Sequence, residues 1–77
     1  DSDSEHAVDA TGLKCPEPVM MLHAAIRRAE VGETVLLTAT DPSTQRDVAN
    51  FCEFLGHNLL ESTAGEGQFM YRVRKAG

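Results

Sequence analysis

The sequence predicts an α+β fold: a two-layer α/β sandwich in the order βαβαββ, with a four-stranded mixed sheet and two helices on one face. Three observations predict it. Two segments carry apolar residues at helical spacing, one after Pro16 and one after Pro42. Four shorter segments alternate apolar and polar residues at strand spacing. A chain of 77 residues has room for one domain only. In so short a chain, strand–helix–strand units place their strands parallel and put both helices on one face of a single sheet.

Residues 1–5 read as a flexible tail and 6–77 as the single domain. The first strand is HAVDAT (6–11), with Val8 and Ala10 on one face, and GLK then turns the chain. From Pro16 to Glu30 the spacing predicts a helix. Val19, Leu22, Ile26 and Ala29 form its apolar side, Arg27 and Arg28 suit its negative end, and Gly32 is the expected C-cap. ETVLLTAT (33–40) is rich in β-branched residues and sets Val35, Leu37 and Ala39 against Thr34, Leu36 and Thr38, a strand. DPST opens the second helix, with Asp41 as the expected N-cap and Pro42 as its first residue. Val48, Phe51, Cys52 and Leu55 make its expected buried stripe, and Gly56 ends it. HNLLESTA (57–64) and QFMYRVRK (68–75) flank a GEG turn and are expected to pair as an antiparallel hairpin. Thr34, Thr38, Arg72 and Arg74 then lie on the open face of the sheet.

The net charge is −5. That argues against nucleic acid as a direct partner, since gripping phosphates needs a dominant basic surface. No apolar run approaches the roughly 18–20 residues that span a bilayer. The start, DSDSEH, has neither the basic residues nor the apolar stretch of a signal peptide. A cytoplasmic monomer with no membrane partner is the expectation.

Two cysteines, Cys15 and Cys52, are too few for a disulfide framework and too far apart for a CxxC pair. His6, His23 and His57 are scattered, so no metal site is expected. Cys52 falls on an apolar stripe and reads as inert core. Cys15 is different. It stands in GLKCPEP (12–18), where a helix begins. Cysteine is not a preferred cap, and such local mismatches mark functional sites. If the first two strands are parallel, both helices start at the carboxyl edge of the sheet, where open α/β sheets hold their sites. KCPEP and DPSTQR are then neighbours in space.

As N-cap, Cys15 would feel the helix dipole, and Lys14 adds positive charge; both lower a thiol pKa. Glu17 opposes them, which predicts a modest net depression. Pro16 and Pro18 lack amide hydrogens, leaving the Glu17 N–H as the one early helix donor for the sulfur. No histidine stands beside Cys15 in sequence: His23 lies two turns along the helix, on a side the spacing does not fix, and His57 is expected at the opposite edge. A thiol with neither base nor substrate pocket suits a group carrier better than a hydrolase.

The segments GLKCPEPVMM (12–21), GET (32–34), DPSTQRD (41–47), FC (51–52), HNL (57–59) and YRVRKAG (71–77), in that order, resemble the TusA/SirA-like family of small sulfur carriers. The resemblance implies the βαβαββ sandwich of the C-terminal domain of translation initiation factor 3. It implies that Cys15, in a Cys-Pro-x-Pro motif, accepts sulfur from a cysteine desulfurase as a persulfide. It also implies a downstream sulfur-relay protein as acceptor, ending in 2-thiolation of the wobble uridine of certain tRNAs. Members serving molybdenum-cofactor supply or sulfur oxidation keep those pathways open. On this reading the chain is a sulfurtransferase-type carrier and not a conventional enzyme, with no cofactor beyond the covalent persulfide. Lys14, Pro16, Glu17, Pro18, Met20, Met21, Asp41 and Arg46 are the candidate docking and site-shaping residues around Cys15. One methionine of Met20 and Met21 is expected to face out. A redox-sensing interaction module is the competing reading, and direct RNA binding a third that rests on fold analogy alone.

Overall fold

Alternation and β-branching build the middle of the sheet as expected. In the computed structural model, which describes residues 5–76, Val35, Leu37 and Ala39 are fully buried while Thr34, Leu36 and Thr38 between them are half-buried. The six elements are β1 (Glu5–Ala10), α1 (Glu17–Arg28), β2 (Thr34–Ala39), α2 (Thr44–Leu55), β3 (Asn58–Gly65) and β4 (Gln68–Arg74). The sheet order is β1-β2-β4-β3, with β1 parallel to β2 and the other neighbours antiparallel. This is the mixed βαβαββ sandwich the sequence predicts.

Both helices cover one face. Leu22, Ile26, Val48, Cys52, Tyr71 and Val73 meet β2 there in one core. Each fully buried aliphatic side chain contributes about 1.5–3 kcal/mol. The hairpin between β3 and β4 turns on Glu66 and Gly67, both at positive φ (53° and 78°), as a two-residue loop matched to strand twist requires. The other sheet face is open. Across it Arg72 reaches from the Glu5 carboxylate on one edge strand to the Glu61 carboxylate on the other.

Several boundaries differ from expectation. Residues 1–4 of the expected tail lie outside the described residues, but Glu5 pairs with Thr34 as the first residue of β1. Gly32 does not cap α1. The helix ends at Arg28, Ala29 is its C-cap, and the Lys75 ammonium donates to the Ala29 carbonyl at 2.7 Å. A cation on the last carbonyls replaces the glycine turn, and Gly32 instead donates its N–H to Lys75. Leu55 is 40% exposed and not part of the buried stripe. It lies in the last turn of α2, where the chain leaves the sheet through left-handed Gly56 (φ 79°).

Candidate functional site

The parallel pairing of β1 and β2 delivers both helix starts to one edge of the sheet. The loop after β1 is drawn tight. Gly12, at φ 80°, donates its N–H to the Thr40 hydroxyl at 2.8 Å, and Leu13 N–H returns to the Ala10 carbonyl. Those bonds carry Cys15 to the start of α2. There the Asp41 carboxylate joins the two loops. Its Oδ2 accepts the Cys15 N–H at 2.6 Å, and its Oδ1 accepts the Ser43 N–H at 3.0 Å. These donors, with the Ser43 hydroxyl and Lys14, hold Asp41 below the usual carboxylate range. Asp41 therefore does more than begin a helix: it fixes the backbone of Cys15.

A second layer fixes Asp41. The Thr44 hydroxyl donates to the Asp41 carbonyl at 2.7 Å and also meets the Tyr71 hydroxyl at 2.8 Å. Thr44 is fully buried and Tyr71 is 1% exposed. A hydroxyl has one proton, and that of Thr44 goes to Asp41, so Tyr71 must be the donor to Thr44. A continuous line of bonds thus runs from β4 through Thr44 and Asp41 to Cys15.

Neither cap is the expected one. Pro16 is the N-cap of α1, and Cys15 stands one residue ahead of it, with a cis peptide between them. The Glu17 N–H donates to the Lys14 carbonyl at 2.9 Å, and the Met20 N–H to Pro16. The amide expected to reach the sulfur is already used. Ser43, not Asp41, is the N-cap of α2, because the bonds from Thr44 N–H to Asp41 and Gln45 N–H to Pro42 have the shorter span of a tight turn. Only from Asp47, whose N–H donates to Ser43, does the helical span begin.

The thiol is also opposite to expectation. Cys15 is exposed, but its pKa lies above the ordinary value and not below it. The Asp47 carboxylate is the largest cause. Partial desolvation, the charge of Asp47 and the charge of Asp41 add to it, while the Ser43 hydroxyl pulls the other way. Two carboxylates from α2 and its approach loop outweigh a dipole that Cys15, lying outside the first turn, barely feels. Burial pushes Cys52 to about 11, consistent with an inert core residue.

The other expected residues are scattered in environment. Lys14, Pro16 and Glu17 are exposed around Cys15, while Pro18 is buried beneath it. Met20 is 61% exposed and Met21 packs against the core, so Met20 is the outward methionine. Arg46 points out, with its Nε 3.8 Å from Asp47. His57 follows the far end of α2, stacked on Phe51, which in turn meets His23. Among the described residues, no group of three or more His, Cys, Asp or Glu is placed to hold a metal ion, and no helix is long and apolar enough to cross a membrane.

Sequence reasoning missed Ser43 and Asp47. An acid in the first turn of a helix reads as a complement to the dipole, which hid Asp47. The usable signal was the four-residue spacing of Ser43 and Asp47, which sets them one above the other on α2, combined with the parallel strands that turn that face to Cys15.

The comparisons with known proteins cover nearly the whole chain. A family profile described as "Sulfurtransferase TusA" matches residues 6–75. The sulfur carrier protein TusA of Pseudomonas putida strain GB-1 is 51% identical over 75 residues, covering 97% of this chain and 94% of its own. That of strain W619 is 53% identical over 68 residues, covering 88% and 85%. With a match that spans every element from β1 to β4, this chain belongs to the TusA family of sulfur carriers.

Proposed function

We propose that the chain carries sulfur as a persulfide on Cys15, loaded by a cysteine desulfurase and unloaded onto a sulfur-relay protein that serves tRNA wobble-uridine 2-thiolation in the cytoplasm. The observation that carries this reading is the placement of Cys15. It is an exposed thiol on a loop pinned at its own amide by Asp41, at the sheet edge where both helices begin. The cleft beside it, lined by Gly12, Leu13, Lys14, Thr40, Asp41 and Pro42, is open to solvent. Such a site suits docking of another protein's sulfur better than enclosure of a small substrate.

The transfer balances without an external oxidant. The deprotonated Cys15 sulfur attacks the terminal sulfur of the donor's persulfide. An S–S bond forms on Cys15 while the donor's S–S bond breaks. Its electron pair leaves on the donor's cysteine sulfur, which takes up the proton. The sulfur is cargo, so no resident cofactor enters.

The redox-sensor alternative is disfavoured by the carboxylates around the thiol, because sensor cysteines are accessible and of low pKa. Intact-mass spectrometry after incubation with a cysteine desulfurase and cysteine tests the carrier reading. The chain should gain about 32 Da, one sulfur. Cys15→Ser should abolish the gain and Cys52→Ser should keep it. Sulfur still loaded on Cys15→Ser would overturn the assignment.

A further inference from the structure

The sheet has two free edges, and they differ. β3 is interrupted by a register shift between Leu59 and Glu61, the kind of bulge that blunts an edge against pairing. β1 pairs with β2 in unbroken register from Glu5 to Ala10, and among the described residues no strand pairs with its other side. It carries no proline and no lysine. In a parallel pair only every second residue points its N–H and C=O at the neighbour, so the rest of β1 offers these groups to an incoming chain.

A cleft of about 370 Å³ lies along this edge, between β1 and the flank of α1. Val8, Met21 and Ala25 are its apolar part, and Ala24 is too small to close it. Arg28 lines it as well, and Arg27 and Arg28 together line a second opening that shares Ala24. Neither arginine makes an ion pair among the described residues. The opposite face of β1 is acidic. Glu5 and Asp9 lie there, paired with Thr34 and Thr38. Glu5 is matched by Arg72, but the Asp9 carboxylate is bonded by Thr11 and not by a cation.

We propose that the β1 edge takes an extended segment of another protein as an added antiparallel strand, with an aliphatic side chain entering the cleft, an acidic one meeting Arg28, and a lysine on the opposite face beside Asp9. Antiparallel pairing is the stronger per residue. Side chains of an added strand alternate between the two faces. Those beneath α1 are read by Met21, Ala25 and Arg28, and those on the open face by Asp9. α1 runs back along β1, so Met21 lies toward the Ala10 end and Arg28 toward the Glu5 end. The added strand therefore enters beside the loop that carries Cys15 and presents its aliphatic residue before its acid. Backbone bonds supply the affinity, while the cleft and the two charges supply the choice. A second copy of β1 fits badly. Antiparallel pairing centred on Ala7 sets Glu5 against Asp9 of the copy, and the cleft-facing residues of β1 are His6, Val8 and Ala10, none of them an acid for Arg28.

The test is a titration of the isotope-labelled full chain with the blocked peptide TVKVTE, read by backbone amide shifts and amide hydrogen exchange. Shifts should concentrate in Glu5–Ala10 and Met21–Arg28, and exchange should slow at alternate residues of β1. Arg28→Ala should weaken binding about 1.5- to 5-fold, the worth of one exposed ion pair. Ala24→Trp, at an exposed helix position, fills the cleft and should abolish the shifts. Arg28→Glu should prefer the peptide TVKVTK to TVKVTE, and the unaltered chain should prefer the reverse. No shifts at millimolar peptide, shifts centred on β3 or α2, or one preference shared by both chains would overturn the proposal. So would β1 shifts that grow with protein concentration in the absence of peptide, which would make a second copy the occupant. The β1 edge binds with or without sulfur on Cys15, so the outcome is independent of the carrier reading.

Discussion

Replacing Thr44 by valine tests the line of bonds that holds the site. Thr44 and Tyr71 share a buried bond in which Tyr71 donates, because Thr44 gives its only proton to the Asp41 carbonyl. Burial pushes the Tyr71 phenol up, which keeps it in the donor form. The two single changes are therefore unequal. Tyr71→Phe removes a donor and leaves Thr44 still bonded to Asp41, so it should cost about 1 kcal/mol, one net neutral hydrogen bond. Thr44→Val leaves a buried phenol proton with no acceptor where exposure is 1%, and should cost about 2 kcal/mol. Removing both hydroxyls leaves no orphan, so Thr44→Val with Tyr71→Phe should be more stable than Thr44→Val alone. Urea unfolding gives the free energies, and melting should follow at about 4–8 °C per kcal/mol for a domain of this size. Simple additivity of the two changes, or a larger cost for Tyr71→Phe than for Thr44→Val, would refute the donor assignment and the line built on it.

Gly56→Ala should cost about 1 kcal/mol in urea unfolding, because a Cβ there meets no atom within 4 Å and the whole penalty comes from the left-handed φ of 79°. His57 predicts a pH dependence. Its pKa is held below 6.5 by burial first, then by Lys75 and His23, and its Nδ1 accepts the Ala76 N–H at 3.1 Å. A histidine depressed in the folded state contributes stability that is full above its unfolded pKa and is lost as pH falls through the folded value. The melting temperature should start to decline below about pH 6.5, and His57→Asn should flatten that decline. A second decline, from the lowered carboxylates Glu5, Asp9, Glu33 and Asp41, should begin only in their more acidic range and persist in the variant.

The fold was legible because each element's local chemistry agreed with its place in the sandwich. Val35, Leu37 and Ala39 alternate with the half-buried Thr34, Leu36 and Thr38 and are buried; Leu22 and Ile26, and Val48 and Cys52, recur at four residues and are buried. Parallel pairing of the first two strands followed from the intervening helix. The errors lie at ends, where the deciding contact comes from a distant residue. Lys75 reaches back to Ala29 from the other end of the chain, and Arg72 reaches Glu5 across the open face. Neither is visible in the neighbourhood of the residue it settles.

The site divides in the same way. That Cys15 and the DPSTQR segment meet was legible from topology, and the bond from Asp41 to the Cys15 amide bears it out. The sign of the thiol shift was not. Along the sequence, Cys15 belongs to the helix it precedes, with Lys14, Glu17 and that helix's dipole as its neighbours. The groups that govern the sulfur belong to the other helix. A dipole is the sum of partial charges confined to the first turn, and Cys15, one residue before the N-cap, is outside it. The Asp47 carboxylate, on the facing helix, is the largest cause of the raised thiol. At a shared edge, a carboxylate on the facing helix outweighs a partial charge one step removed, so the polarity of such a site must be read from the facing segment as well as from the segment that carries the nucleophile.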